Sequence, residues 1–443
     1  MMGSDKIELI EKRLKFQEIK DYEIYLTKTN IIETQFLKNK IESERELHTF
    51  DYFLRILSHK ENETGVGIVK GNSFNSNNVD SNIRLCSTLS KHNLSSKYEL
   101  PYPQKLGYVK TAEEKVLKNP KQINRDLTEE IQSEIAGYKE ISPTFGRFRI
   151  HIQDKYLRNS NNVDLFAQKS YFYFEFALKA QNKGKLAESW ETGYVKNIDQ
   201  LRFPERIQKW VKIAKDTLKA SLPISNEKAI VLFPTHILKD ALNSVVAFHS
   251  SGRAKHEGLS KFEINKKVAT ENLTIFDNGL LQGGLMTNSW DGEGNPQEVN
   301  KIIDNGIFKK RLFDQKYAIL ENTKSSGNGI RNSDGSISNT ITNLQIEPGV
   351  ISLKEMISEI KEGYYIEKCS WLNPDPLSGF FGTEIRNGYY IKNGELRHPI
   401  KGGNLSGNIL KMLSNCLYIS RETEFAENSY FPSIFFDNLS ISS

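Results

Sequence analysis

The sequence predicts an α+β protein with a mixed N-terminal domain over residues 1–221 and a larger, β-rich C-terminal domain over residues 222–443. Three observations predict this division. Helical and strand-like hydrophobic periods alternate in the first half of the chain. The composition changes near Leu222-Pro223. After about residue 250, short apolar segments are separated by Asn-Gly turns, which are typical of antiparallel hairpins in a barrel or sandwich.

The N-terminal elements follow from these periods. An apolar stripe predicts a helix over residues 5–20, and alternation from Tyr22 to Thr27 predicts a strand. We expect further strands at 31–37, 51–58 and 65–71, then a helix at 78–91. Residues 92–122 lack a clear period and are predicted to be a long surface connection.

The rest of the first half contains two long helices and two strands. Residues 125–139 and 204–219 have helical stripes, and Pro204 stands near the start of the second. Residues 146–156 and 169–181 are predicted strands. In the second strand, one face is apolar through four residues at alternate positions: Phe172, Phe174, Phe176 and Leu178.

The C-terminal half begins with a strand at 229–233 and a helix at 235–248. Hairpins are predicted at four Asn-Gly pairs, which begin at Asn278, Asn305, Asn387 and Asn393. Beyond that helix, only residues 353–362 have a helical pattern.

Composition excludes several classes of protein. The 443 residues are 38% hydrophobic and 26% charged, as in ordinary globular proteins. The net charge of +5 is spread over interleaved basic and acidic residues, which argues against a nucleic-acid-binding function. The chain has no apolar run of about 18 residues, so no membrane span is predicted. The N-terminus does not resemble a signal peptide. We therefore expect a cytoplasmic protein with three isolated, buried cysteines.

Catalytic motifs are sparse. The chain has no Gly-x-Ser-x-Gly elbow, no phosphate-binding loop and no His-Glu-x-x-His zinc motif. His256-Glu257 is the one His-Glu pair, and His249 precedes it by seven residues with Gly252 between them. These residues are a weak candidate metal site, and a solvated loop is the alternative.

Two polar, glycine-rich segments are candidates for a binding cleft. They are Trp290-Asp-Gly-Glu-Gly-Asn-Pro296 and Ser325-Ser-Gly-Asn-Gly-Ile-Arg331. Glycines let backbone N–H groups approach a bound chain closely, and Asp291, Glu293 and Arg331 could line the cleft. Tight turns with solvated charges are the alternative.

These segments belong to an ordered series that resembles the TldD/PmbA (TldE) family. The family's acidic D-x-E-G turn is similar to Asp291-Gly-Glu-Gly294, and its T-G-N-G-x-R segment is similar to Ser326-Gly-Asn-Gly-Ile-Arg331. Further matches follow in order, among them Thr342–Gly349, Gly388–Glu395, His398–Gly402 and Pro432–Phe436.

The resemblance implies an N-terminal α/β domain, a β-rich C-terminal domain and cytosolic peptidase work on short or unfolded peptides. TldD-type subunits carry zinc on an HExxxH helix, with a cysteine near the C-terminus as a further ligand. TldE-type subunits lack both and pair with the TldD type. By family motif, Asp291, Glu293, Asn328 and Arg331 are the implied peptide-binding positions.

The sequence departs from the zinc-binding type at both points. The segment 241–249, where HExxxH should lie, has one histidine and no glutamate, and residues 420–431 have no cysteine. We therefore expect a TldE-like subunit with no catalytic residue, metal ligand or cofactor of its own, and with zinc in a TldD-type partner. The alternatives are a metallopeptidase that uses His249, His256 and Glu257, and a peptide-binding homo-oligomer such as a homodimer.

Overall fold

The computed structural model describes residues 3–182 and 184–443 and confirms the α+β fold. The first sheet is antiparallel and has the strand order β4-β3-β2-β1-β5-β6-β7. Its strands are β1 (Tyr22–Leu37), β2 (Lys40–Lys60), β3 (Glu63–Gly71), β4 (Leu94–Ser96), β5 (Ile141–Asn159), β6 (Asp164–Asn182) and β7 (Lys185–Val195).

Helices cover one face of this sheet, because alternate strand residues on that face are apolar. The helices are α1 (Gly3–Phe16), α2 (Ser76–His92), α3 (Glu114–Lys118), α4 (Pro120–Ala136) and α5 (Phe203–Thr217). Phe174 and Phe176 are buried as predicted and pack against Trp210 of α5. The opposite face carries Glu23 and Tyr25, which contact the second half of the chain.

The second sheet has eleven strands and closes on itself, since β8 pairs with both β15 and β20. Its strands are β8 (Asn226–Phe233), β9 (Ile275–Asn278), β10 (Val299–Asp304), β11 (Ile307–Phe308), β14 (Leu344–Ile346), β15 (Glu362–Cys369), β16 (Phe380–Lys392), β17 (Glu395–Ile400), β18 (Asn404–Asn408), β19 (Cys416–Ala426) and β20 (Ser429–Ser442). A separate ribbon pairs β12 (Gly329–Arg331) with β13 (Ile337–Asn339).

The main core of this half packs around one helix. That helix, α6 (Thr235–Ser250), buries Ala241, Leu242 and Val245 against the barrel strands. Four short helices lie between strands: α7 (Gly252–His256), α8 (Gln315–Leu320), α9 (Leu353–Ser358) and α10 (Ile409–Ser414). The prediction of a single helix beyond α6 was therefore wrong, because helices of about one turn are too short to show a hydrophobic period.

Two predictions for the first half need correction, and one strand was not predicted. The strand beginning at Tyr22 and the strand at 31–37 are one continuous strand, β1. The connection at 92–122 is not wholly superficial, because it holds β4, α3 and the first turn of α4, and it buries Tyr98 and Leu100. Strand β7 was missed, since its charged residues hide the alternation.

Of the four predicted Asn-Gly hairpins, two are present and two are not. Asn305-Gly306 and Asn393-Gly394 have positive φ at both residues and join neighbouring antiparallel strands. Asn278 ends β9 and leads into a loop, whereas Asn387 lies inside β16 at a register shift against β15. Main-chain pairing of β15 with β16 therefore overrode the local turn preference.

No helix in the part of the chain that the structure describes is long and apolar enough to cross a membrane.

Candidate functional site

Asp291 organises the acidic turn that the sequence singled out. Its Oδ1 accepts hydrogen bonds from the N–H groups of Glu293 (2.9 Å) and Asn295 (3.0 Å). Its Oδ2 accepts one from the N–H of Gly329 at 2.9 Å, which ties the turn to β12. The carboxyl group is buried, and burial together with the charge of Glu293 raises its pKa. Asp291 thus joins the two glycine-rich segments.

Glu293 reaches the N-terminal half of the chain. Its Oε1 accepts a 2.7 Å hydrogen bond from the hydroxyl of Tyr98 and lies 3.3 Å from Nη1 of Arg55. Its Oε2 accepts the N–H of Gln315 at 2.9 Å, at the start of α8. Arg55 is buried and lies 3.8 Å from Glu23. Glu293 therefore connects strand β2 to α8.

Arg331 closes the same cluster. Its Nε donates to the carbonyl of Gly292 at 3.0 Å, and its Nη1 donates to the carbonyl of Gly335 at 3.2 Å. Its Nη2 forms an ion pair with Glu23, and its guanidinium lies 4.4 Å from the ring centre of Tyr25. All three guanidinium nitrogens are engaged within the protein.

Asn328 lies in a neighbouring cluster. Its side-chain amide donates to Oδ2 of Asp277 at 2.7 Å and to the carbonyl of Thr340 at 3.1 Å. Asp277 also accepts the N–H and hydroxyl of Thr342. Burial raises the pKa of Asp277 to about 6. Asn328 thus fixes the segment before β12, while Asp291, Glu293 and Arg331 lie together.

The cluster around Glu293 holds more acidic than basic groups. We call it the acidic network, and its members are Glu23, Arg55, Tyr98, Asp291, Glu293, Asp314 and Arg331. Burial and the charge of Glu293 also raise the pKa of Asp314, which caps α8 through the N–H of Tyr317. Four carboxyl groups face two guanidinium groups, so retaining protons on some carboxyls lowers the electrostatic cost.

A small cavity lies beside the acidic network. It has a volume of about 90 Å³, and Asp291 and Arg331 form part of its wall. Two lysines that the sequence reasoning missed, Lys155 and Lys169, also line it. Strand alternation could have found them, because Lys169 lies on the face of β6 opposite Phe172 and Phe174. The prediction that the four motif positions bind peptide stays a prediction.

The residues where the family's zinc site would lie do not fit zinc. On α6, His249 is buried between Phe248 and Phe262, and its Nδ1 accepts the N–H of Lys261. Burial and the charge of Lys261 lower the pKa of His249 to about 4. His256 instead lies in a half-exposed cluster with Glu321, at 3.0 Å.

Other ligand types do not complete such a site. Within residues 3–182 and 184–443, no three His, Cys, Asp or Glu side chains are grouped as metal ligands. Burial raises the pKa of the Cys416 thiol to about 12, which disfavours the thiolate that zinc binds.

Comparison with known proteins places this fold among relatives of metallopeptidases. Residues 226–443 match the family described as the PmbA/TldA metallopeptidase C-terminal domain. The C-terminal half of the chain therefore belongs to the TldD/PmbA family. The crystal structure of TldE from Thermococcus kodakarensis superposes with a TM-score of 0.86 at 21% identity, covering 98% of this chain and 100% of that one.

Two curated relatives match over part of their length. A metalloprotease TldD homolog of Buchnera aphidicola is 33% identical over 184 residues, which are 41% of this chain and 38% of the relative. An uncharacterized protein of Methanocaldococcus jannaschii is 29% identical over 265 residues, which are 59% of this chain and 60% of the relative. This chain thus spans less than two thirds of either relative.

Proposed function

We propose that this chain is a TldE-like, zinc-free subunit that pairs with a TldD-type catalytic subunit in a cytoplasmic peptidase complex. The observation that carries the proposal is the composition of α6. The expected HExxxH segment supplies only His249, which packs among Phe248 and Phe262. Zinc needs three protein ligands and an open position to activate water, and α6 does not provide them.

The role of such a subunit is to form part of the peptide chamber and hold the peptide in extended form. Strand β2 supports this role, because β3 pairs only with its residues 52–60. Over residues 40–51, β2 pairs with β1 on one side, and no described strand lies on the other. Such an edge offers backbone N–H and C=O groups to an extended peptide without requiring a particular peptide sequence.

Exposed charges on this segment fit a reversible contact. Glu42, Glu44 and Arg45 are exposed on this segment. Charged side chains on a sheet edge oppose permanent pairing with other strands. Such an edge can therefore pair reversibly with a peptide, while its charges oppose aggregation with the edge strands of other molecules.

The test uses the full chain expressed alone and together with a TldD-type partner from the same host. We expect well below one equivalent of zinc and no peptidase activity from the isolated chain. An unfolded polypeptide substrate should be cleaved once the partner is added, and a chelator should abolish that cleavage.

Three outcomes would contradict the proposal. Stoichiometric zinc and chelator-sensitive cleavage by the isolated chain would indicate a metallopeptidase in its own right, and His256→Ala would then show whether His256 is a ligand. A pull-down from the host that returns only copies of this chain would favour the peptide-binding homo-oligomer. A partner that is equally active without this chain would exclude a subunit role.

A further inference from the structure

The cavity beside the acidic network lies between the first sheet and the acidic turn. Its wall includes Tyr25 of β1, Lys155 of β5, Lys169 of β6 and, from the C-terminal half, Met286 and Trp290. Lys155 stands opposite Ala167 in the β5–β6 register, and Lys169 is two residues further along β6. Such diagonal neighbours are within reach of long side chains, so the register brings two ammonium groups to one small space.

Neither lysine has a charge partner among the residues that the structure describes. The ammonium of Lys169 donates to the carbonyl of Leu285, and within residues 3–182 and 184–443 no carboxylate lies within ion-pair distance of either lysine. Burial and the positive charges of Lys155 and Lys196 lower the pKa of Lys169 well below its usual range. An anion in the cavity would relieve both the desolvation and the repulsion.

The other charged groups at the cavity are already satisfied. Arg331 is paired with Glu23 and donates to two carbonyl groups. Both oxygens of Asp291 accept backbone N–H groups. Lys155 and Lys169 are therefore the cationic groups left to receive a ligand.

We propose that Lys155 and Lys169 bind the carboxylate of a ligand in this cavity, and that the ligand is the C-terminal end of an extended peptide. The assignment to a peptide rests on the proposed function; the carboxylate chemistry rests on the cavity alone. A volume of about 90 Å³ equals roughly three water molecules, which suits a carboxylate and its adjoining carbon atoms. Tyr25, Met286 and Trp290 offer an apolar wall to those carbons.

The test compares two forms of one peptide on the isolated full chain. Penta-alanine with a free carboxylate and penta-alanine with a C-terminal amide are titrated, with calorimetry and intrinsic tryptophan fluorescence, to which Trp290 of the cavity wall contributes, as readouts. We expect the free acid to bind at least tenfold more tightly than the amide. Lys169→Gln and Lys155→Gln should each remove that preference. Lys185→Gln, which removes the same charge from an exposed position on β7, should retain it.

Each contrary result has a distinct meaning. Equal affinities for acid and amide, or no binding of the acid, would overturn the proposal. Retention of the preference in Lys155→Gln would do the same, and because Lys155 is only half-buried this variant tests the site even if Lys169→Gln folds poorly. Propionate that binds as tightly as the free-acid peptide would overturn the assignment to a peptide. None of these results alters zinc content or partner-dependent cleavage, so the two proposals fail separately.

Discussion

The hydroxyl of Tyr98 donates a 2.7 Å hydrogen bond to Glu293, 195 residues away in the sequence. Tyr98 follows the short edge strand β4, and Glu293 belongs to the acidic turn of the C-terminal half. Both side chains are buried, and Arg55 contacts each of them. This contact couples the first sheet to the most recognisable motif in the sequence.

Replacement of Tyr98 by phenylalanine should destabilise the protein. The variant keeps the ring but leaves Glu293 and Arg55 each without one buried hydrogen-bond partner, at a cost of about 1–3 kcal/mol. Urea unfolding followed by circular dichroism measures the loss. Tyr108→Phe is the matched control, because Tyr108 is 93% exposed. Equal stability of the two variants would show that the contact contributes nothing.

Protonation of Asp314 should make the free energy of unfolding depend on pH, so that stability falls as pH rises. Its folded pKa is raised by burial and by Glu293, so the folded state binds a proton that the unfolded state releases above about pH 4. The stabilising contribution is therefore fully present below about pH 4 and is lost as pH rises through the folded pKa, by at most about 1.4 kcal/mol per pH unit.

Asp314→Asn tests this sign, because asparagine caps a helix as well as aspartate does but cannot ionise. Relative to the variant, the wild-type chain should lose free energy of unfolding between about pH 4 and pH 7. The exposed Asp334→Asn should show no such trend. A constant difference between wild type and Asp314→Asn across this range would contradict the raised pKa.

Gly329 is required by close packing against the acidic turn. A Cβ at this position would lie 2.6 Å from Oε2 of Glu293 and 3.1 Å from Oδ2 of Asp291. Gly329→Ala should therefore cost about 1–3 kcal/mol, as overpacking does in a buried site. Thermal unfolding compares it with Gly382→Ala, whose Cβ would meet no atom within 4 Å. A control that is equally destabilised would point to chain flexibility instead of packing.

Periodicity was sufficient to predict the long elements. The alternation of Phe172, Phe174 and Phe176 predicted β6, and apolar stripes predicted α4 and α5, because burial of one face fixes both patterns. Strand β7 and helices α7, α8 and α10 were missed, since charged edge residues and single turns carry no such pattern.

The site was predictable only in part. The ordered glycine-rich motifs in the sequence identified Asp291, Glu293 and Arg331, which lie together in the structure. Their partners Glu23, Arg55 and Tyr98 come from the other half of the chain, where nothing local distinguishes them. Strand alternation places Lys169 on the face of β6 opposite Phe172 and Phe174, but a single sequence does not provide the β5–β6 register that brings Lys155 beside it.

His249 provides the last prediction, because its buried place in the core and a role as zinc ligand predict different results. Its ring fills space between Phe248 and Phe262, so His249→Ala should leave a cavity and cost about 2–4 kcal/mol. The zinc content of His249→Ala should equal that of the wild-type chain. His256→Ala, at a half-exposed position beside Glu321, should change the free energy of unfolding by no more than about 0.5 kcal/mol and should leave the zinc content unchanged. Denaturant unfolding and elemental analysis of the same preparations give both quantities. A loss of bound zinc in either variant would contradict the proposal that this chain is the zinc-free subunit. A stability loss confined to His249→Ala would instead show that α6, which corresponds to the family's zinc helix, serves here as a packing element of the barrel.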